Sequence, residues 1–265
     1  MPDARWKPTP LIHASLFLHA SIVILLVIQP AQWRIALAAL LANHVLLTLA
    51  GLLPRCNWLG PNWTRLPEAC GNEIALTIDD GPDPVVTPQV LDILDRHDVK
   101  ATFFCIGEKA LRHPELCREI VSRGHAVENH SQHHRHCFSL LGYSGFIREL
   151  KAAEATLNEI TGQRPLFFRA PAGLRNPFLD PALAKLNLQL ASWSVRAYDT
   201  RVNDAGRVAR KLINGLKPGA ILLLHDGNAA RTKDGTPVIL EVLPIILSAA
   251  RHAGLRLVTL RSVLS

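Results

Sequence analysis

Two adjacent carboxylates, Asp79 and Asp80, stand behind an apolar run at 74–78 and ahead of a Gly81-Pro82 turn. An apolar run ended by Gly-Pro reads as a buried strand that stops abruptly. The pair then lies at the strand's C-terminal end, where βα folds place their chemistry. Adjacent strand residues face opposite sides. At a frayed end both can turn inward, one to bind a metal and the other to act as a base. A second stretch reads Glu128-Asn129-His130-Ser131-Gln132-His133-His134. His130 and His134 are four apart, so a helix or tight turn puts both imidazoles on one side. With Asp80 they make a two-His, one-carboxylate set that leaves positions open for water and substrate. Without the Asp pair, the same stretch reads as a His-rich surface.

A third stretch, Arg169-Ala170-Pro171, ends an apolar run, and an arginine there can hold a carboxylate bidentately. The bland reading is a surface arginine. A fourth, Leu222-Leu223-Leu224-His225-Asp226, again ends an apolar run in a titratable group. His225 can donate a proton to a leaving group near neutral pH. The bland reading is a capped core histidine. All four stretches end strand patterns, and unrelated structural accidents would scatter instead.

The elements that must position these groups alternate. Strand patterns lie at 74–78, 101–106, 126–128, 166–169, 190–195, 220–224 and 256–260. Helical patterns lie between them. Thr87 with Pro88 reads as an N-cap followed by Pro at N1, and Asp204 as a second cap. Gly124 and Gly162 read as helix-ending glycines. The alternation implies a parallel sheet with helices, open or closed into a barrel. No GxGxxG follows the first strand, which argues against a dinucleotide fold.

The 265-residue chain is 48% hydrophobic, and the excess sits at the N-terminus. Uncharged runs at 11–29 and 35–53 are 19 residues each, near the ~20 needed to cross a bilayer. A signal peptide fits poorly, because the second run follows after a five-residue link. The expectation is a transmembrane hairpin over 1–55, a juxtamembrane linker over 56–71 and a catalytic domain over 72–265. The alternative is a helical pair packed on a soluble domain. Arg5 and Lys7 flank the first run, and Arg55 and Arg65 follow the second, against Arg34 alone in the link. The positive-inside rule then places the domain in the cytoplasm, on the inner membrane of a bacterial cell. Five cysteines without CxxC spacing do not form a disulfide framework. The net charge of +7 is spread without a Lys/Arg block, so no nucleic-acid partner is expected.

The motifs together resemble the polysaccharide deacetylase family, the NodB-homology domain of carbohydrate esterase family 4. Its T-[FI]-D-D-G is Thr77 to Gly81, and its H-[ST]-x-x-H is His130, Ser131 and His134. Its R-x-P is Arg169 and Pro171, and its L-x-L-H is Leu222, Leu224 and His225. The resemblance implies an α/β fold, a distorted (β/α)7-type barrel, and a metal-dependent de-N-acylase of an amino sugar. Asp80, His130 and His134 would hold a divalent ion, zinc first, with cobalt, manganese or nickel as alternatives. Asp79 would be the base, Arg169 would orient it, and His225 would protonate the departing amine. A backbone N–H at Ala172, beside Pro171, would meet the oxyanion, and Leu222 or Leu224 would wall the acyl pocket. One motif departs. The family's D-x-x-D-W reads Arg196-Ala197-Tyr198-Asp199-Thr200. Asp199 is expected to replace the missing partner of His225, with Asp226 as the alternative, and Trp193 to fill the pocket wall. The substrate would be an N-acylated glycan outside the cell, or a lipid-linked saccharide at the inner leaflet, with membrane lipid as a second partner. The competing classes are a non-catalytic glycan-binding relative, favoured by the altered motif, and a membrane assembly subunit.

Overall fold

The computed structural model describes residues 6–264, so Arg5 and Ser265 lie outside the described residues. Two apolar helices come first, α1 (Pro10–Ile28) and α2 (Trp33–Leu52). They are joined by a 3-10 turn at Pro30–Gln32, and both are long and apolar enough to cross a membrane. Asn43 Nδ2–H donates to Ser15 Oγ at 3.0 Å between them. Most of their large apolar side chains are exposed, Phe17 and Val27 among them.

The remaining chain alternates strand and helix. The strands are β1 (Glu73–Gly81), β2 (Thr102–Cys105), β3 (Ala126–Asn129), β4 (Phe167–Phe168), β5 (Gln189–Leu190), β6 (Val195–Arg196), β7 (Ile221–His225) and β8 (Arg256–Val258). The helices are α3 (Val86–Arg96), α4 (Gly107–Arg112), α5 (Pro114–Ser122), α6 (Tyr143–Thr161), α7 (Leu179–Lys185), α8 (Ala205–Ile213) and α9 (Val238–His252). All strand pairs are parallel, in the order β5-β4-β3-β2-β1-β7-β6, with β8 added beside the start of β1. The strands β5 and β6 end that order on opposite edges, yet only residues 191–194 separate them in sequence. Five peptide steps reach at most ~18 Å. The sheet therefore curls until its edges nearly meet, as a distorted barrel.

That seam explains a difference from expectation. The pattern at 190–195 predicts one strand, but the structure breaks it in two. Ala191 N–H still bonds Phe168 O in β4, whereas Ser194 N–H bonds Ile221 O in β7. The stretch between crosses from one edge to the other. Trp63 sits in the seam, taking Ser192 N–H on its carbonyl and donating its own N–H to Leu190 O. The segment after α2 thus packs into the barrel wall, with Leu59 and Leu66 buried.

Alternation along β1 divides the core. Ile74, Leu76 and Ile78 face outward and pack under α3, α8 and α9. Ala75 faces the barrel interior with Phe104, Phe167, Trp193 and Leu223. Two helix ends follow their sequence signals. Asp204 Oδ1 accepts Arg207 N–H at 2.8 Å, and Gly162 ends α6 at φ 69°. Thr87 does not cap α3. The helix starts at Val86, and Asp83 Oδ1 takes the Val85 and Val86 N–H groups, both at 2.9 Å. The Thr87 hydroxyl is committed to Asp226 instead, at 2.5 Å.

Candidate metal-dependent hydrolase site

Asp79 and Asp80 both turn into the barrel mouth because β1 bulges between them. Pairing with β2 runs from Asp79↔Phe104 directly to Gly81↔Cys105, so Asp80 is the extra residue. It sits at φ 70°, in the left-handed region that Asp tolerates better than most side chains. Two contacts hold the bulge. Lys109 Nζ donates to the Asp80 carbonyl at 2.8 Å, and Gly227 packs so close that a Cβ there would lie 2.1 Å from that oxygen. Asp80 Oδ2 also accepts Asn228 Nδ2–H at 3.3 Å. Lys109, Gly227 and Asn228 were not expected from the sequence, since the first two act through a backbone bend that no motif spells out and the third reaches the Asp80 carboxylate from a distant loop.

The His130–His134 stretch is a tight turn rather than a helix, with Ser131 at φ 66° and His134 at φ 49°. Asn129 Oδ1 accepts Ser131 N–H at 2.9 Å, and Ser131 Oγ accepts His134 N–H at 3.0 Å. Both Nε2 atoms lie 3.2 Å from Asp80 Oδ1. The three candidate ligand atoms fall within 4.8 Å of one another. His130 Nδ1–H donates to the Arg169 carbonyl at 2.8 Å, which turns its Nε2 lone pair toward Asp80. His133 points away, its Nδ1 2.8 Å from Glu149 on α6.

The charges suit a cation. Burial would raise the Asp80 pKa, but the His130 hydrogen bond and the nearby His charges hold it well below the usual carboxylate range. Burial, with the His130 charge, lowers His134 to about 4, so its imidazole is neutral at pH 7. The ionised Asp80 carboxylate, the neutral His134 imidazole and His130 Nε2 converge on one point, which is a donor set for a divalent ion.

Asp79 lies on one flank. Its Oδ1 accepts Arg169 Nη1–H at 2.7 Å. Arg169 does not grip it bidentately, as the sequence suggested. Nη1 is shared with Thr77 Oγ1 at 2.7 Å, while Nε and Nη2 bond the Ala191 and Ser192 carbonyls at 3.0 and 2.7 Å. The guanidinium is fully buried and lies 4.2 Å from the Phe104 ring centroid. It spends its other donors on the seam, tying the site to the barrel's closure.

His225 lies on the other flank, opposite Asp79 in the β1–β7 register. Asp199 Oδ1 is 2.9 Å from His225 Nδ1, and Asp199 Oδ2 accepts His225 N–H at 2.8 Å. Asp226 is not the partner. Its carboxylate takes Thr87 Oγ1–H and the Gly227 N–H. Burial alone would lower the His225 pKa. The Asp199 hydrogen bond and charge, with the Asp79 and Asp80 charges, raise it above its ordinary value. Arg196, which replaces the expected Asp, stacks 5.1 Å from both the Trp193 and Tyr198 rings.

Leu222 and Leu224 do not face the site. They share a face with Leu76 and Ile78 and pack under the helices. His225 points inward, so a period of two puts Leu223 on the inner face, with Trp193 and Phe104. Leu223 is the leucine available to an acyl pocket. Pro171 opens a 3-10 turn in which Ala172 takes φ 54° and is exposed.

Residues 67–191 match the family model described as polysaccharide deacetylase. The peptidoglycan-N-acetylglucosamine deacetylase of Listeria monocytogenes is 36% identical over 63% of this chain, which covers 36% of that enzyme. The chain thus spans about a third of the length of that relative. The chitooligosaccharide deacetylase of a Bradyrhizobium strain is 37% identical, over 58% of this chain and 70% of the relative. A solved family 4 acetyl xylan esterase from Clostridium thermocellum, in complex with a cobalt ion, superposes with a TM-score of 0.64. It is 30% identical, over 72% of this chain and 89% of that one. With the parallel curled sheet and the four motifs gathered at its mouth, these likenesses place the chain in the polysaccharide deacetylase family.

Proposed function

We propose that the chain is a membrane-tethered, metal-dependent hydrolase that removes an N-acetyl group from an amino sugar of a glycan or lipid-linked saccharide. One observation carries the reading. Three metal-type donors converge between an Asp–Arg pair and a His–Asp pair. The relatives' names, on peptidoglycan N-acetylglucosamine and chitooligosaccharides, supply the sugar class.

Asp80, His130 and His134 would hold the ion, zinc first, which when bound lowers the pKa of water and polarises an amide carbonyl. Asp79 takes the proton of the attacking water. Arg169 and Thr77 hold the Asp79 carboxylate toward that water. The Ala172 N–H donates to the carbonyl oxygen as negative charge develops there. His225 donates its Nε2 proton to the amine nitrogen as the C–N bond breaks, and Asp199 keeps that proton on Nε2 by holding Nδ1–H. Leu223 and Trp193 wall the acetyl group. The products are acetate and a free amino sugar.

The anchoring hairpin spans 1–55, with 56–71 joining it to a catalytic domain over 72–265. Tryptophans mark both ends of the hairpin, Trp33 at its turn and Trp6 and Trp58 beside the domain, as interfacial belts do. The basic residues at the outer ends support a domain on the cytoplasmic side of the inner membrane. Fusions of alkaline phosphatase or a fluorescent protein to the C-terminus test this. Active phosphatase would reverse the orientation. For the chemistry, acetate release from a panel of N-acetylated amino-sugar substrates is measured on the full chain, with chelator and after metal return. Turnover that ignores the chelator would sink the metal, and no release from any substrate would sink the hydrolase.

A further inference from the structure

A cavity of about 720 Å3 lies between the hairpin and two loops of the candidate site. Its hairpin wall carries Leu16, Leu47 and Leu52, and its domain wall carries Leu140, Leu174 and Phe178. Both domain segments continue from the chemistry. Leu140 follows the His130–His134 turn, and Leu174 stands two residues after Ala172. The hairpin presses on the same loop. Arg175 N–H donates to Gly51 O at 3.1 Å, and a Cβ on Gly51 would lie 2.1 Å from the Arg175 carbonyl. Pro54, just past α2, accepts Ser192 Oγ–H at 2.6 Å, and the Ser192 carbonyl holds Arg169. The end of the apolar helix and the base-orienting arginine thus share one short chain of contacts.

The cavity also runs along the hairpin. Its lining on α1 extends from Ile12 to His19. Seven residues of helix rise ~10 Å, a depth well inside a bilayer's hydrocarbon if α1 spans it. Leu140 and Phe178, at 83% and 54% exposed, are large apolar side chains left open beside the hairpin. Among the described residues, Arg175 is the one Lys or Arg in the lining and is 5% exposed; its Nη2 donates to the Cys56 and Gly60 carbonyls and Asp180 lies near it, while its Nε–H has no acceptor.

We propose that this groove takes the hydrocarbon chain of a lipid-linked N-acetyl amino sugar, joined through a phosphate, and delivers its sugar to the site from the membrane. The proposal rests on the deacetylase reading and names its substrate class. Continuity selects the occupant. A groove for a structural lipid or a partner helix has no need to share its wall with the loop of Ala172. The unused Arg175 Nε–H supplies a charged donor for the phosphate linkage.

The test compares two substrates carrying the same sugar, on the full chain in nanodiscs. One is N-acetylglucosamine joined through phosphate to farnesol, and the other is a soluble chitooligosaccharide. The wild type is expected to turn over the prenyl-linked sugar with kcat/KM at least ~10-fold higher, since the groove holds a chain that the soluble sugar lacks. Leu16→Trp fills the groove from the hairpin side, and Leu140→Glu charges its domain side. Each is expected to raise KM for the prenyl-linked sugar about 10-fold, while the soluble substrate changes less than about 2-fold. Equal use of both substrates by the wild type would overturn the proposal and leave the deacetylase reading standing. So would variants that weaken both substrates alike, or neither, the outcome expected of a resident phospholipid or a partner helix. No acetate from either substrate would refute the deacetylase reading itself.

Discussion

Replacing Asp199 with Asn removes the negative charge beside His225 while nearly preserving the side chain's shape. The carboxylate holds both the Nδ1 and the backbone N–H of His225, at 2.9 and 2.8 Å, and both residues are buried. A hydrogen bond to a charged group contributes about 1.5–3 kcal/mol, and one pKa unit corresponds to about 1.4 kcal/mol. The His225 pKa, raised in part by that carboxylate, should therefore fall. An Asn carbonyl still accepts Nδ1–H, so the tautomer survives, while its NH2 meets the His225 backbone N–H and that hydrogen bond is lost along with the charge. His225 must be protonated to act as an acid, so activity falls as pH rises through its pKa. In a kcat–pH profile for acetate release, Asp199→Asn should move the alkaline limb toward acid. Stability should follow the same sign. A His whose folded pKa is raised stabilises fully below its unfolded value of about 6.5, and loses that contribution as pH rises through the folded value. The variant should thus lose more stability at pH 6 than at pH 10. Asp226→Asn is the control, because Thr87 and Gly227 hold that carboxylate, and its alkaline limb should stay in place. If Asp199→Asn lowered kcat without moving the limb, the assignment of His225 as an acid tuned by Asp199 would be refuted.

Asp79→Asn should retain metal on purification yet lose at least ~100-fold in kcat, the scale of a lost general base. Metal lost along with activity would instead make Asp79 a ligand. His134→Ala removes one of three donors, so metal content by elemental analysis should drop well below one per chain, and a full complement would take His134 out of the site. Arg261→Ala strips the cation from Glu128, which is fully buried at the barrel base. Burial raises Glu128 to about 7, opposed by Arg261 and the Leu166 and Phe167 N–H groups. Its contribution to stability is therefore fully present below about 4.5 and lost as pH rises through about 7. The variant should cost about 3 kcal/mol at pH 8 and much less at pH 5, where a proton replaces the cation. Equal losses in denaturant melts at both pH values would show that Arg261 acts only by packing.

Much of the site was legible because strand ends announce themselves. Apolar runs stopped by Asp79, His225 and Arg169 placed three groups at one end of a parallel sheet, and the His130–His134 spacing put two imidazoles together. Helix ends marked by Asp204 and Gly162 were equally plain, since caps are local chemistry. The short helices at Gly107–Arg112 and Leu179–Lys185 were not. They are too brief to show a period.

The residues by themselves determined which groups meet, since each motif lies at the end of its own strand pattern. Only the tertiary structure decided how they meet. The bulge at Asp80 needed Lys109 and Gly227, which come from a helix and a loop far along the chain. The choice of Asp199 over Asp226 depended on which carboxylate Thr87 had already taken. Leu223 rather than Leu222 or Leu224 faced the site because the phase of β7 is set by pairing with β1, not by its uniformly apolar composition. The break at 191–194, which brings Arg169 its carbonyl partners, arose because a curled sheet must join two edges through one short segment. Local sequence carries periodicity and caps, but closure and register are properties of contacts between distant strands.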